Sequence, residues 1–438
     1  MVGSTNASWI SPSFSDTDMF TIDGVSLPSI TKTMNSSGFV YSKQTITDQY
    51  QKLQNAMKPN NIGIYYSVKA NTSLAVLDHL YALGTGLEVA SVGELLAVQA
   101  IGADPKRVSF AGPVKSKEAL EIAIGYGVHT INVETFDEIE MIDQIAREHN
   151  KIQQIGLRIN PQKEVSGTSV TMGGGSRKFG FDDEIVDADF IKKVTAYPNV
   201  LLAGLHVFAA SQILSAESFC ENVTQICTIA ERLHALYDLR YIDFGGGLGI
   251  PYDSAESPLP LEEITHKVEE TLQSFPFINE NSLQLFIEPG RFLVGTSGVY
   301  LTTVAAVKSS RGRQIVLVDG GLQHLLRPEL IGDNHPVYNL SHYGETKMRT
   351  FDIGGALCTS ADFLGKNIQL PENTKRGDVI GIFCTGAYGW SEAMPYFLSH
   401  PTAAEAFIHD GTISLVRPSV HPREFLRNQQ IPGKEKHV

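Results

Sequence analysis

The feature that most constrains the fold is an alternation of short apolar runs and amphipathic segments, repeated over about 250 residues. Segments between the apolar runs have helical spacing, as over Val92–Ile101, Lys117–Tyr126, Phe136–Glu148 and Ala216–Tyr237. Eight strands that alternate with helices predict an α/β fold of the (β/α)8 barrel type, with a doubly wound open sheet as the alternative. The eight predicted strands are Gly63–Lys69, Leu87–Ala90, Val108–Ala111, Thr130–Val133, Ile155–Asn160, Leu201–Phe208, Tyr241–Phe244 and Leu285–Glu288.

The rest of the chain predicts a second domain, since 438 residues exceed what one core usually serves. After Gly295, short β-rich runs separated by Gly, Pro, Asn and Asp predict a mostly antiparallel β domain. We expect a poorly ordered N-terminus over residues 1–18 and a segment over 19–43 whose strands join the β domain. The barrel should then cover residues 44–295, and the C-terminal β domain residues 296–438.

Composition excludes several classes of protein. The net charge of −13 argues against nucleic acid as the main partner. The chain contains no apolar run long enough to span a bilayer, and no basic segment followed by an apolar one as in a secretory signal. Four cysteines, none spaced as CxxC, are too few for a disulfide framework. We therefore expect a cytoplasmic protein that contacts no membrane and carries no metal.

Lys69 ends the first predicted strand, in the stretch Tyr66-Ser67-Val68-Lys69-Ala70-Asn71. Burying an unpaired ammonium is costly, so a lysine at this position must be paired, neutralised or chemically used. A desolvated lysine loses its proton more readily and becomes an amine that forms a Schiff base with an aldehyde. The competing interpretation is a lysine whose ammonium reaches solvent from the strand end.

Polar residues and glycines also follow the ends of the other predicted strands, where the active sites of such barrels lie. The loops after the seventh and eighth strands frequently bind phosphate in these barrels, and here they contain Gly245–Gly247 and Gly290-Arg291. Glycine amides approach an anion closely, and arginine binds phosphate through paired hydrogen bonds. Glycines are also common in tight turns, so only their location favours a phosphate site. The other strand-end residues are Glu88, Arg158, His206, Phe208, Ser211 and Glu288.

A lysine near a phosphate site predicts pyridoxal phosphate as the cofactor. This cofactor is an electron sink that is held by a Schiff base and needs a partner at its ring nitrogen. Glu288 is the candidate partner because it lies one loop from the phosphate site; the alternative is a carboxylate in solvent. Phe208 and His206 lie on the same face of a strand. Either of them packs in the core or, as we expect for Phe208, contacts the cofactor ring.

These motifs, in this order, resemble those of the alanine-racemase-fold pyridoxal phosphate decarboxylases, the family that contains diaminopimelate and ornithine decarboxylases. The resemblance runs from about Phe20 to about Val416. It implies that Lys69 binds the cofactor, that Arg158 lies near its phenolic oxygen and that Glu288 contacts its ring nitrogen. It further implies that the phosphate is held by Ser211, Gly246, Gly247, Gly290, Arg291 and Tyr388.

The resemblance also implies a head-to-tail homodimer with shared active sites. In Leu357-Cys358-Thr359-Ser360-Ala361-Asp362, the cysteine would enter the active site of the other subunit and protonate the decarboxylated carbon. A free cysteine is otherwise most often a buried structural residue. Lys178 would pair across the interface with Asp362. Arg327 and Thr359 are expected to contact the substrate, with Arg327 holding a carboxylate.

Three positions depart from the family pattern. Phe208 replaces the histidine that stacks on the cofactor ring, and Ile331 replaces a tyrosine of the diaminopimelate enzymes. Thr359 replaces an acidic residue that binds the distal amine of the substrate. Without that carboxylate a distal ammonium loses a charge-assisted hydrogen bond of about 1.5–3 kcal/mol. The departures therefore disfavour free ornithine, lysine or diaminopimelate.

Two segments, His206–Gln212 and Phe397–Pro401, are similar to a branch of the family that acts on modified amino acids. That branch includes the L-glutamyl-carrier-protein decarboxylase of butirosin biosynthesis and decarboxylases of siderophore pathways. We predict decarboxylation of an α-amino acid that is conjugated or carrier-bound, in a secondary-metabolite or siderophore pathway. The alternatives are a decarboxylase of free diaminopimelate, ornithine or lysine, an amino-acid racemase, and a catalytically decayed regulatory homologue.

Overall fold

The computed structural model describes residues 14–15, 20–164, 170–171, 175–280, 283–342 and 344–432. The chain divides into two compact units. The first unit comprises Met1–Ile46, Pro251–Glu256 and Val294–Val438, and the second Thr47–Ile250 and Ser257–Leu293. The disorder expected for residues 1–18 falls outside the described residues, apart from the two-residue strand Phe14–Ser15.

The second unit is a closed barrel, which confirms the predicted fold. Each strand runs parallel to the next, the last strand pairs with the first, and the fourth with the fifth, so the ring of hydrogen bonds closes. This closure excludes the open sheet. In the described part of the barrel the eight strands are β1 (Ile62–Ser67), β2 (Gly86–Val89), β3 (Val108–Phe110), β4 (Thr130–Val133), β5 (Gln153–Asn160), β6 (Val200–His206), β7 (Tyr241–Asp243) and β8 (Gln284–Ile287).

A single large side chain fills much of the barrel interior. Tyr241 is buried, and its hydroxyl group is hydrogen-bonded to Thr130 at 2.7 Å and to Asn132 at 3.2 Å. A Cβ atom at Gly156 or Gly204 would collide with the Tyr241 side chain. Glycine on β5 and β6 therefore makes room for the tyrosine on β7, and the interior is a packed core rather than a channel.

Helices connect the strands; they follow β2 and β4 closely, whereas longer segments separate β5 and β7 from the helices after them. Ser91 caps the helix after β2, and its hydroxyl accepts the amide N–H of Glu94 at 3.2 Å. Short loops of this kind leave the strand-end residues at one rim of the barrel. Lys43–Met57 precedes β1, and Leu74–Leu83, Val92–Ala100, Lys117–Tyr126, Phe136–Glu148, Ala188–Val194, Ala216–His234 and Leu261–Gln273 follow β1 to β7 in order. Phe277–Glu280 precedes β8 and Arg291–Val294 follows it.

The first unit is built on a mostly antiparallel sheet. Gly38–Ser42 lies between Gly298–Ser310 and Ala404–His409, so the segment before the barrel supplies an internal strand of this sheet. The strands nearer Phe20, Thr21–Ile22 and Val25–Ser26, form a separate small sheet. Among the described residues the large sheet has nine strands; the others are Arg313–Val318, Val337–Asn339, Met348–Gly354, Phe363–Pro371, Val379–Phe383 and Thr412–Arg417.

Two short helices of the first unit are Leu27–Met34 and Arg327–Ile331. In the part of the chain that the structure describes, every helix is too short or too polar to span a bilayer.

Candidate active site

Lys69 lies just beyond β1 rather than at its end. The strand stops at Ser67, and Lys69 is the middle residue of a single 3-10 turn, Val68–Ala70. The ammonium Nζ donates a hydrogen bond to Oε2 of Glu88 at 3.1 Å and lies 5.5 Å from the centre of the Phe208 ring. The Lys69 side chain is 40% exposed, whereas that of Glu88 is 2% exposed. The lysine is therefore paired with a buried carboxylate and remains open to solvent on its other side.

A cavity of about 160 Å³ is lined by residues at the C-terminal ends of the strands. Four residues singled out in the sequence share this cavity: Lys69, Arg158, Phe208 and Glu288. His206 and Phe179 also line it. The cavity thus has aromatic walls and a set of charged groups that surround one small volume.

Glu88 was noted in the sequence as a strand-end residue but was given no role, although it lies at the centre of the site. Its Oε2 atom accepts hydrogen bonds from the Ser67 hydroxyl at 2.5 Å and from Lys69. The only signal in the sequence is a carboxylate inside an otherwise apolar strand. Such a residue must find a partner when the strand is buried.

Arg158 is fixed by a buried ion pair. Its Nη1 donates to Oε1 of Glu134 at 2.7 Å, and the guanidinium carbon lies 4.5 Å from the centre of the Phe179 ring. The second oxygen of Glu134 accepts the amide N–H of Gly180 at 2.8 Å. Glu134 therefore positions both the arginine and the loop that carries the aromatic wall, and it too was missed in the sequence.

Glu288 belongs to a buried cluster with His206 and Asp243. His206 Nε2 lies 3.0 Å from Oε2 of Glu288, and since a carboxylate only accepts, the histidine nitrogen must carry the proton. Burial alone would raise the pKa of Glu288, but the charge and hydrogen bond of His206 outweigh it and lower this pKa to about 2. Burial raises the pKa of Asp243 well above its ordinary value, and the charge of Glu288 adds to the rise. Both shifts therefore favour a proton on Asp243 and a negative charge on Glu288.

The triple glycine is required by the backbone itself. Gly245 and Gly247 have φ angles of +67° and +103°, which favour glycine. A Cβ atom at Gly246 would collide with the carbonyl oxygen of Glu288, and one at Gly247 would lie 2.5 Å from that of Ala210. The amide N–H groups of Gly246 and Gly247 have no hydrogen-bond partner among the described residues. These amides are thus available to an anion. Anion binding would be a second reason for glycine here, besides the φ angles and the close packing.

The remaining barrel residues of the predicted phosphate site are distant from these glycines in the chain, but they follow Ala210 and Glu288, whose carbonyl oxygens lie against the glycines. Gly290 packs against the turn that carries Lys69, since a Cβ atom there would lie 2.8 Å from Cβ of Ala70. Arg291 begins the short helix after β8 and is half-buried. Ser211 is half-buried and lies in a two-residue strand that follows β6.

Four predicted site residues belong to the first unit. Cys358 is exposed, and Thr359 next to it is half-buried. Arg327 is 5% exposed, with its guanidinium carbon 3.9 Å from the centre of the Tyr252 ring. Tyr388 has a φ angle of 56°, an uncommon conformation for a bulky residue that only surrounding structure maintains.

Asp362 organises the loop that carries Cys358. Its carboxylate accepts the amide N–H of Leu322 at 2.8 Å and that of Leu357 at 2.6 Å. Burial raises the pKa of this carboxyl group. Both oxygens of Asp362 therefore already have a partner within the unit, and the expected contact with Lys178 of another subunit stays a prediction.

The barrel residues fit pyridoxal phosphate. Lys69 offers an amine at the cavity wall, and Oε1 of Glu288 is buried with no hydrogen-bond donor among the described residues unless Asp243 carries a proton. The amides of Gly246 and Gly247 offer donors to a phosphate group. A lysine amine, a carboxylate acceptor and a set of backbone donors are the three kinds of group that this cofactor requires.

Several known proteins are similar to this chain in sequence and in fold. A family described as pyridoxal-dependent decarboxylase, pyridoxal binding domain, matches residues 43–295. The L-glutamyl-[BtrI acyl-carrier protein] decarboxylase of Niallia circulans is 31% identical over 405 residues, which cover 90% of this chain and 94% of that protein. The diaminopimelate decarboxylase of Aquifex aeolicus is 29% identical over 412 residues, 92% of this chain and 94% of its own. The crystal structure of diaminopimelate decarboxylase from M. jannaschii in co-complex with L-lysine matches with a TM-score of 0.90 at 25% identity, over 97% of this chain and 99% of that one.

Proposed function

The chain belongs to the family of pyridoxal-dependent decarboxylases, and from this premise we propose which substrate it takes and how its residues act. It is a pyridoxal phosphate-dependent amino-acid decarboxylase. The proposed substrate is an α-amino acid whose distal end is conjugated or bound to a carrier protein, in a secondary-metabolite or siderophore pathway.

The substrate proposal rests on Thr359. Its hydroxyl is neutral and accepts the amide N–H of Ala361 at 3.4 Å. By resemblance, this position holds an acidic residue where the substrate has a free distal ammonium. An amide or thioester at the distal end carries no charge and needs no such partner. The name of the Niallia circulans relative, which describes a glutamyl group on an acyl-carrier protein, supports the same substrate class.

Free diaminopimelate is the second candidate. Relatives named diaminopimelate decarboxylase match this chain at 29% and 31% identity, close to the 31% of the carrier-protein enzyme. Overall similarity therefore does not separate the two substrates, and the residues around the substrate's distal end carry the distinction.

The barrel residues, together with Tyr388 of the first unit, take the following proposed roles. Pyridoxal phosphate supplies an electron sink for the carbanion that forms when carbon dioxide leaves. Lys69 provides the amine that holds the cofactor, and Glu88 orients this amine and exchanges a proton with it. Glu288 accepts the ring N–H. Phe208 packs on the ring, Arg158 contacts the phenolic oxygen, and the phosphate is bound by Ser211, Gly246, Gly247, Gly290, Arg291 and Tyr388.

Cys358 is the proposed acid that protonates the substrate carbon. Its exposed thiol would act in the active site of the other subunit of a head-to-tail homodimer. A free thiol persists in a reducing compartment, so the same proposal places the enzyme in the cytoplasm. Arg327 is the proposed partner of a substrate carboxylate. Its buried guanidinium group is held against Tyr252 and suits bidentate binding of a carboxylate.

A direct substrate comparison tests the proposal. Purified holoenzyme is incubated with L-glutamate, meso-diaminopimelate, ornithine, a glutamyl-pantetheine thioester and a glutamyl-loaded acyl-carrier protein. Loss of carbon dioxide is followed by mass spectrometry. We expect turnover of the thioester or the loaded carrier protein at least about tenfold faster than of any free amino acid. Faster turnover of free diaminopimelate would contradict the substrate assignment.

Variants at Lys69 test the cofactor assignment. Lys69→Ala removes the amine, whereas Lys69→Arg keeps a cation beside Glu88 but cannot form a Schiff base. Both variants should lose the visible absorbance of the bound cofactor, the mass increase after borohydride reduction, and activity. Lys69→Arg should nevertheless keep the stability of the pair with Glu88. Full activity in either variant contradicts the role of Lys69.

A further inference from the structure

We propose that His206 and Asp243 are positioning residues that together hold Glu288 as an ionised acceptor for the ring N–H of the cofactor, with Asp243 acting as a neutral acid. This inference rests on the proposed role of Glu288. It adds two residues that the assignment of the cofactor does not require, and it states the protonation of each.

The first step is the geometry of His206. The residue ends β6, is 1% exposed, and directs Nε2 at Oε2 of Glu288 at 3.0 Å. The proton on Nε2 belongs to the bond with Glu288, because Oε2 has no hydrogen to give when the carboxylate is ionised. His206 therefore stabilises the charged form of Glu288 and fixes the orientation of the carboxylate plane. Nδ1 of His206 has no hydrogen-bond partner in the described part of the chain.

The second step concerns the protons of the two carboxyl groups. Asp243 is 3% exposed and Glu288 is 5% exposed, and one side-chain atom of each lies within 4.8 Å of the other and of His206. Two adjacent buried carboxylates do not both stay ionised, because neither is solvated and they repel each other. A proton on Asp243 removes the repulsion. It also gives Oε1 of Glu288 a donor, which this atom otherwise lacks among the described residues.

The third step is the link from Asp243 to the glycine loop. Oδ1 of Asp243 accepts the amide N–H of Gly245 at 2.9 Å, and the amide N–H of Glu288 binds the carbonyl oxygen of Gly245 at 2.8 Å. One carboxyl oxygen of Asp243 therefore faces the loop, which leaves the other for the O–H group directed at Glu288. The ring-nitrogen acceptor and the proposed phosphate loop are thus held in one hydrogen-bonded unit.

The charges around the cluster favour the same placement of protons, with Glu288 ionised and Asp243 neutral. The positive charge of Lys69 lowers the pKa of Glu288, although less than His206 does, and the negative charge of Glu88 adds to the rise at Asp243. The phenols of Tyr65 and Tyr241 are also near. Burial raises the pKa of Tyr65 to about 12 and raises that of Tyr241 well above its ordinary value, so both remain neutral.

Substitutions at Asp243 test whether this residue acts as a neutral acid or as a charged carboxylate. Asparagine offers a carbonyl oxygen to Gly245 and an N–H group to Glu288, as a protonated aspartic acid does, whereas leucine has similar size and offers neither. The dissociation constant of pyridoxal phosphate is measured by titrating cofactor-free protein, with the absorbance of the bound cofactor as the signal. We expect Asp243→Leu to weaken binding about tenfold or more, and Asp243→Asn by less than about threefold.

A matched pair of substitutions at His206 tests the hydrogen bond that this residue donates to Glu288. His206→Gln keeps an N–H donor that reaches Glu288, and His206→Leu removes it. We expect the leucine variant to weaken cofactor binding about tenfold and to shift the absorbance band of the bound cofactor, with the glutamine variant close to wild type. Circular dichroism of each cofactor-free variant checks that the barrel has folded, and Glu288→Gln provides the reference spectrum for loss of the ionised acceptor.

Two results would overturn the inference. One is Asp243→Asn binding the cofactor as weakly as Asp243→Leu, since a charged aspartate would then be required. The other is a stoichiometric divalent metal in purified holoenzyme that is lost in Asp243→Asn, because the three side chains would then be metal ligands. None of these measurements uses an amino-acid substrate. Failure of the inference is therefore distinguishable from failure of the proposed decarboxylation.

Discussion

At the scale of single residues, the site depends on charges that are paired before any cofactor binds. Lys69 is held by Glu88, and Arg158 by Glu134. Each cation therefore has a fixed partner in the folded protein, and that carboxylate is buried and cannot turn away to solvent. Removing either carboxylate should disturb the cation more than the fold around it. Because these side chains are already ordered in the folded protein, binding of a cofactor does not have to supply the free energy that orders them.

Cys358 permits a sharp kinetic prediction at the same scale. Cys358→Ala should lower kcat about 100-fold with little change in KM, because a general acid acts in the transition state more than in binding. Cys227→Ser is the control, since Cys227 is buried in the helix Ala216–His234, where burial raises its pKa to about 12. Steady-state kinetics with the accepted substrate provide both constants. Equal effects of the two substitutions contradict the assignment.

Single residues also show how far the sequence predicts the site. Lys69, Arg158, Phe208 and Glu288 were singled out because each lies at or near the C-terminal end of a predicted strand, and all four line one cavity. Their partners were not predicted as site residues, because a partner is recognisable only from distances across the barrel. Glu88 and Asp243 lie within strands and Glu134 directly after one, so the sequence shows charged residues beside apolar runs but not the cations that they pair with. The roles of all these residues stay predictions.

At the scale of elements, the helix after β2 connects the site to the stability of the barrel. Ser91 caps this helix, and Oε2 of Glu94 accepts the amide N–H of Ala90 at 2.7 Å. Burial raises the pKa of Glu94 to about 7, and the charge of Glu88 adds to the rise. In the folded protein Glu94 therefore holds a proton over a range of pH in which the unfolded chain has lost it.

This shift predicts the sign of a stability change. Between its ordinary pKa of 4.5 and about 7, Glu94 binds more protons in the folded state, so stability falls as pH rises through this window. Glu94→Gln keeps the cap and removes the titration. From pH 5 to pH 8, cofactor-free wild type should lose about 1–2 kcal/mol relative to Glu94→Gln, measured by urea unfolding. A constant difference across this range contradicts the prediction.

Elements differ in how well the sequence predicts them. The barrel strands were found because each is a short apolar run between breaks, and their bounds agree within about two residues. The alternation predicts a helix after β1, but Leu74–Leu83 itself has a weak helical period because it is apolar on most faces. The strand Phe363–Pro371 is hard to recognise in the sequence because Gly365 and Asn367 interrupt it, and Asn367 has a φ angle of 58°. Propensity predicts these two elements poorly, since packing and backbone conformation decide them.

At the scale of the whole molecule, the proposed catalytic residues are divided between the two units, with Lys69 in the second and Cys358 in the first. The proposal assigns them to one site through a dimer. A chain that lacks one residue is therefore complemented by a chain that lacks the other. If each chain built its own site from both residues, two such variants would not rescue each other in any mixture.

Mixing Lys69→Ala with Cys358→Ala tests this division. After equal amounts are dissociated and reassociated, half of the dimers contain both chains, and each has one site with Lys69 and Cys358 intact. The mixture should recover about a quarter of wild-type activity. Activity is followed against protein concentration, with sedimentation velocity to show that the variants remain dimeric. Mixing Lys69→Ala with Lys69→Arg is the control and should recover none, because every site then lacks the amine. Recovery that stays at the level of this control, with heterodimers present, would show that the two residues act within one chain.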